Sequence, residues 1–415
     1  MRKILAALFA LASSLGAQTP TYDVLLKGGH VIDAKNKINA PMDVAVTGGK
    51  IARVAPNIPA AQARKTIDIA GLTVAPGFID IHVHVYPRPE NTSMSRDSSV
   101  QPDAFSFRSG VTTVVDAGTS GWRTFPDFRR RVIDKAQTRV LALLNIAGAG
   151  MGTGNEDDLA ELDADAAVKM AKANADVIVG FKSAHFAGPG WESIEAAAKA
   201  GKAVDKPVMV DFGYLNQVRN LSTLLLDKLR AGDIYTHCYS GHREELLETG
   251  KVNPVMTGGR KRGIFFDIGH GSGSFYWYVA VPAYEQSFYP DSISTDLHIS
   301  SMNSGMKDMT NVMSKMLNLG SPLDQVIQMS TWNPAREIKR PELGHLDVGA
   351  EADVAVVRVE RGKFGFIDSA GAANTGDRMI VAELTLRKGR VVWDLNGRAS
   401  ENWKAFRYEK KAWKK

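Results

Sequence analysis

The chain has 415 residues, 44% of them hydrophobic and 23% charged, an ordinary globular balance with length enough for one large domain and a smaller companion. Cys238 is the single cysteine, so no intrachain disulfide can form. The formal charge of +6 sits at the ends: Arg2 and Lys3 contribute +2 and residues 402–415 contribute +5, which leaves the body at −1 and argues against a general nucleic-acid surface.

The first twenty residues, MRKILAALFALASSLGAQTP, open on Arg2 and Lys3, run apolar from Ile4 to Leu11 and end in small residues. This three-part pattern predicts a signal peptide over 1–17, and hence an exported protein, periplasmic or secreted. The apolar run is shorter than the roughly 20 residues that span a bilayer, so no stable membrane insertion is expected. Next, YDVLLKGGHVID and MDVAVTGGKIARVA alternate apolar and polar residues around Gly-Gly pairs, the pattern of hairpin strands. GAEADVAVVRVE and AELTLRKGRVVWD repeat it near the other end. The two flanks, 18–75 and 336–398, are predicted to form one small β-sandwich domain, and 399–415 a solvated basic tail.

Between the flanks, 76–335 alternates short apolar strands with helical stretches. Strands are predicted at 78–84, 111–116, 139–146, 177–182, 207–211, 233–237, 263–267 and 292–296, and helices at 157–175, 191–204 and 220–231 among others. Eight strands alternating with helices predict an α/β fold, a TIM-like (β/α)8 barrel. No dinucleotide-binding glycine fingerprint follows any strand, which weighs against an open doubly wound sheet.

Most of these strands end in a side chain able to hold a metal or carry a proton: His82 and His84, Asp116, Lys182, Asp211, His237, Asp267 and Asp296. In a parallel barrel they all lie at the C-terminal mouth, where active sites are built. The DIHVH stretch is the most specific. His-x-His on a strand turns both imidazoles to one face, where they can share a metal at about 2.0–2.1 Å. Asp80 shares that face and is expected to orient a ligand. Lys182 ends VIVGFK, where a buried ammonium is expensive. It either pairs with an acid or reacts with carbon dioxide to give an anionic carbamate. Cys238 follows His237 directly and so points to the opposite face, into the core.

The pieces APGFIDIHVHV, GVTTVVDAGTSGW, VGFKSAH, GDIYTHCYSG, FDIGHGSGSF, DSISTDLH, TWNPAREI and LGHLDVGAEADVAV occur in this order along nearly the whole mature chain. In them the sequence resembles the amidohydrolase superfamily, specifically its dihydroorotase-like amidohydrolase/deacetylase metallohydrolases. The resemblance implies a divalent metal site with two zinc ions, manganese or iron being alternatives. His82 and His84 would bind the more buried ion, an N6-carboxylated Lys182 would bridge, and His237 would bind the second ion. Asp296 would ligate the first ion and shuttle a proton. The family places a histidine where this chain has Asp211. Asp211 then either ligates the second metal through oxygen or pairs with an unmodified Lys182, which leaves one metal on His82, His84 and Asp296. His185 and His270 are candidate substrate contacts.

The implied reaction is hydrolysis of a C–N amide bond, in a cyclic amide or an N-acyl small molecule, by a metal-activated hydroxide. Asp296 would act first as general base and then as general acid. Ester hydrolysis of an acylated hydroxy acid on the same site is an alternative, and so is a binding barrel without chemistry. The expected partner is a small-molecule substrate, not a nucleic acid, and a homo-oligomer is left open.

Overall fold

The alternating residues of the N-terminal flank pair as strands, with a turn at Gly48-Gly49; Gly28-Gly29, expected to break a hairpin, lies inside one strand. In the computed structural model, which describes residues 21–87, 98–151, 155–211 and 218–409, these strands are β1 (Tyr22–Asp33), β2 (Ile38–Thr47) and β3 (Lys50–Ala55). The predicted signal peptide and the last six residues of the basic tail lie outside the described residues, and 401–409 is exposed. Gly48 and Gly49 join β2 to β3 with φ of +58° and +76°, the left-handed pair that a two-residue hairpin turn needs. β1 breaks register between Leu26 and Gly29. Across that bulge its parallel partner changes from β4 (Ala63–Asp68) to β5 (Thr73–Pro76).

The other end of the chain adds β13 (Val354–Ile367), β14 (Ala373–Arg387) and β15 (Arg390–Asp394), with β13 antiparallel to β5. The flanks therefore meet in one structure, as expected, but it is one hydrogen-bonded mixed sheet of eight strands. Its order is β15-β14-β13-β5-β1-β2-β3, with β4 also on β1. The two branches are continuous because the bulged β1 bonds to both. Leu26, Val31, Val44, Val74, Val354 and Leu384 are buried in the core of this unit.

Between the flanks lie seven parallel strands: β6 (Phe78–Val83), β7 (Val111–Gly121), β8 (Arg139–Asn145), β9 (Ile178–Ala184), β10 (Val208–Asp211), β11 (Ile234–Tyr235) and β12 (Phe265–Phe266), adjacent in chain order. Their apolar runs do not alternate because both faces are covered; β7 and β9 are buried at every position. The predicted eighth strand, 292–296, is not a strand. It makes only isolated parallel bridges, Ser292 to Asp267 and Leu297 to Val83, and so spans the gap between the two edges of the sheet. The Asp80 carboxylate takes the Thr295 N–H at 3.1 Å, and Asp296 has φ +50°, so a regular ladder cannot run through.

The predicted helix at 191–204 forms as Glu192–Ala203 and buries Ile194, Ala197 and Ala200 at a spacing of three. The one at 157–175 shortens to Ala164–Ala173, because Asp163 caps it by accepting from the Asp165 and Ala166 N–H groups. The one at 220–231 is reduced to a turn at Leu221–Thr223 and a π turn at Leu224–Lys228. Helix Met309–Asn318 sits against the second sheet: Ser314 Oγ accepts from the Ile380 N–H at 2.9 Å and Asn318 Oδ1 from the Asp377 N–H at 3.0 Å. Among the described residues no helix is long and apolar enough to cross a membrane.

Candidate metal centre

The C-terminal ends of the parallel strands converge on one point. β6 brings His82, and His84 follows it directly. His84 Nε2 lies 3.0 Å from Asp296 Oδ1 and His82 Nε2 lies 3.7 Å from it. These three donor atoms all fall within 4.8 Å of one another. β9 places Lys182 Nζ 3.2 Å from His82 Nε2. Just past β11, the His237 ring stands 5.0 Å from that of His82, centroid to centroid. β10 ends in Asp211, whose Oδ2 is 3.3 Å from His237 Nε2. All six expected ligands thus share one cluster. His237 and Asp296 hold φ of +63° and +50°, a region that costs a non-glycine residue energy and recurs at functional sites.

Hydrogen bonds behind the rings settle which nitrogen faces inward. Thr236 Oγ1 gives its one proton to Asp267 Oδ2 at 2.7 Å, so it accepts from His82 Nδ1 at 3.0 Å. His84 Nδ1 meets Thr119 Oγ1 at 2.8 Å, and that hydroxyl is bonded to Asp116. His237 Nδ1 donates to the Gly269 carbonyl at 2.5 Å. All three imidazoles therefore present Nε2 to the cluster. Two such lone pairs and a carboxylate oxygen, oriented from behind by hydroxyls and acids, are a donor set that fits a divalent ion.

The electrostatics follow from burial and neighbours. Burial would raise the Asp296 carboxyl, but His82, His298 and His84 hold it well below the ordinary carboxylate range. Burial would raise Asp211 too, and His237, His185 and Lys182 outweigh it. Burial pulls the Lys182 ammonium down. Asp211 forms no ion pair with Lys182 among the described residues. Its Oδ1 instead accepts from Arg243 Nη2 at 3.1 Å, and its Oδ2 faces His185 Nε2 at 3.4 Å as well as His237. Of the two readings of Asp211, the pair with an unmodified Lys182 is not formed; the ion pair is with a guanidinium.

Asp80 acts on the backbone of expected ligands rather than on a ring: its Oδ1 accepts from the His82 N–H at 3.3 Å. It also accepts from Thr295 Oγ1 at 2.5 Å and from the Thr295 N–H, and so fixes the residue before Asp296. Burial raises its carboxyl to about 7. His270, expected to touch substrate, is fully buried. Its ring stacks on Phe275 at 4.5 Å, Nδ1 donates to the Gly271 carbonyl, and Nε2 lies 2.6 Å from Lys315 Nζ. Both ring nitrogens and one ring face are thus engaged within the protein.

His185 does sit on the rim, about half exposed. Glu156 at 3.5 Å, with Asp211, raises it to about 9. Cys238 is buried, as expected of a core residue. Sequence reasoning missed Arg243, Thr119 and Thr236. Thr236 adjoins His237 and Thr119 lies in the VVDAGTSG stretch, so strand-end neighbours were a usable signal for both. No spacing marks Arg243.

The amidohydrolase family profile matches residues 280–391. The chain is similar to a deacetylase of Brucella anthropi, 31% identical over 369 residues, covering 86% of this chain and 85% of the relative. It is similar to a deacetylase of Agrobacterium fabrum, 32% identical, covering 81% of this chain and 83% of the relative. Its fold is similar to that of a crystal structure of an adenine deaminase, with a TM-score of 0.81 and 29% identity, covering 90% of this chain and 100% of the other.

Proposed function

The chain belongs to the amidohydrolase superfamily and is a metal-dependent amidohydrolase acting on C–N bonds, and we propose that it hydrolyses a small cyclic amide or N-acyl compound in the manner of a deacetylase. The observation that carries this reading is the convergence of His82 Nε2, His84 Nε2 and Asp296 Oδ1 beside Lys182 at the mouth of the sheet. In this reading His82, His84 and Asp296 would hold one divalent ion, His237 and Asp211 would hold a second, and an N6-carboxylated Lys182 would supply oxygen donors to them. Carboxylation suits the contact. Unmodified, Nζ donates into the His82 lone pair that an ion needs, whereas a carbamate presents oxygen acceptors. Imidazoles with carboxylates suit zinc, and the hard oxygen of Asp211 widens the choice toward manganese or iron.

When bound, divalent ions here lower the pKa of a water toward about 7 and polarise the scissile carbonyl. Asp296, kept ionised by its imidazole neighbours, accepts the proton of the attacking water and returns it to the leaving nitrogen. His298 Nδ1 and Ser301 Oγ both donate to the Asp296 backbone carbonyl at 2.8 Å, which aims the carboxylate from its own loop. His185 offers the substrate a cationic donor on the rim. Arg2, Lys3 and the Ile4–Leu11 run support export to the periplasm or beyond.

The test is a metal-replete activity screen over N-acyl amino acids, cyclic imides, hydantoins and acyl esters, repeated after chelation. The expected result is hydrolysis of at least one amide class, lost with chelator and restored by zinc. Turnover confined to the esters overturns the C–N assignment.

A further inference from the structure

Asp211 and His237 face each other in an arrangement that either a proton or a metal ion between them completes. His237 Nδ1 is committed as a donor to a carbonyl, so a neutral ring has only a lone pair at Nε2. That lone pair points at a carboxylate oxygen, Asp211 Oδ2, 3.3 Å away. Two electron pairs at that separation repel unless a proton or a metal ion joins them. Two ligand atoms sharing a tetrahedral ion at about 2.1 Å stand about 3.4 Å apart, close to the spacing seen.

The other oxygen of Asp211 is already taken. Arg243 Nη2 donates to Oδ1 at 3.1 Å, and Arg243 Nη1 donates to the carbonyl of Thr236 at 3.2 Å. One guanidinium thus ties the end of β10 to the residue just before His237. Arg243 is itself buried, lies over the Tyr235 ring at 5.5 Å, and its backbone N–H is fixed by Glu245 Oε2 at 3.1 Å. Its Nε, buried, has no partner among the described residues. A guanidinium left with an orphan donor in this position is kept for what its two Nη atoms hold. The pair is also neutral as a unit, so an anionic aspartate with Arg243 brings no more net charge than a neutral imidazole. His185 also approaches Asp211, but it is half exposed and reaches Oδ2, the oxygen facing His237.

We propose that Arg243 is a positioning residue that makes Asp211 a metal ligand: it occupies Oδ1, cancels the carboxylate charge, and leaves Oδ2 for an ion shared with His237. This rests on the two-ion reading of the site. The experiment measures bound zinc per chain and the affinity of each ion by chelator competition, on the full chain, in wild type and three variants. Wild type is expected to hold about two ions. Arg243→Met is expected to keep the ion of His82, His84 and Asp296 and to bind the second about 10–100-fold more weakly. Arg243→Lys, which keeps the charge but not the two-pronged reach, falls between. Asp211→His combined with Arg243→Met restores two ions, because an imidazole needs no guanidinium, and it also answers for Arg243→Met if that variant folds poorly. Two ions at wild-type affinity in Arg243→Met overturn the role of Arg243 alone. One ion in the wild type overturns the two-ion reading and the proposal with it.

Discussion

The parallel sheet carries charged side chains at both of its ends, and the two clusters are built on opposite rules. At the N-terminal end, Arg139 opens β8 and donates to Asp353 Oδ2 at 2.8 Å, to Glu351 and to Thr113 Oγ1. Arg387 donates to Asp353 Oδ1 and to Glu351 Oε2, each at 2.9 Å. Every cation there meets a carboxylate, and the network seals the barrel sheet to the second sheet. At the C-terminal mouth nitrogen meets nitrogen, Lys182 Nζ to His82 Nε2 at 3.2 Å, and a lone pair meets a carboxylate, His237 to Asp211. The first cluster is closed by opposite charges. The second gathers lone pairs and carboxylate oxygens that a proton or a metal ion can join. Charge density therefore does not mark the site; convergent nitrogen and oxygen donors held in place by well-bonded residues do.

The strongest way to break this contrast is Asp296→Asn. Turnover of the substrate found in the screen should fall about 10³-fold while the melting temperature stays within a few degrees. A loss of less than tenfold would mean that Asp296 carries no proton. Next comes Arg139→Met at the opposite end. It leaves the buried Asp353 and the exposed Glu351 with one partner fewer and should cost about 2 kcal/mol in urea unfolding, with bound metal unchanged. An unmoved unfolding midpoint would show that this end is not the structural one.

Thr236→Val removes the hydroxyl between His82 and Asp267 at constant shape. Chelator competition should show metal binding weakened about 10–100-fold. The matching Thr113→Val change at the N-terminal end should leave metal affinity as it was. Equal effects from the two swaps would erase the distinction.

The smallest effect compares the two buried lysines. Lys315, unlike Lys182, has two carbonyl acceptors, Gly305 at 2.8 Å and Ile367 at 2.7 Å, yet burial still pulls it from 10.5 to about 7. Between those values the unfolded chain holds a proton that the folded chain lacks. Stability from this group is therefore full above about 10.5, falls as pH drops, and is gone below about 7. Wild type should gain stability over Lys315→Met by up to about 1.4 kcal/mol per pH unit between pH 7.5 and 9 in paired urea titrations. A difference that does not change with pH would refute the depressed ammonium.

Much of the site is legible in the sequence, and the reason is local. A strand repeats its side chains every two residues, so DIHVH by itself puts His82 and His84 on one face. An apolar run closing on a polar residue puts Lys182, Asp211 and His237 near the C-terminal ends of their strands, although β9 runs on to Ala184 and β11 stops at Tyr235. Gly48-Gly49 likewise marks the β2–β3 hairpin from its own few residues, whereas the same pair at Gly28-Gly29 falls inside β1. What the sequence determined is of this kind: which residues share an element, and at which end they stand.

The tertiary structure decided who meets whom. Asp211 finds its partner 32 residues on, in Arg243, and that pairing depends on how the segments after β10 and β11 pack, which no periodicity encodes. His270 carries the same glycine-flanked signature as a ligand contact, but stacking on Phe275 and the approach of Lys315 from another helix turn it inward. The predicted eighth strand failed for the same reason. Its backbone donor is claimed by Asp80, 215 residues away in sequence, and a strand pattern cannot reveal a competitor that only folding brings near.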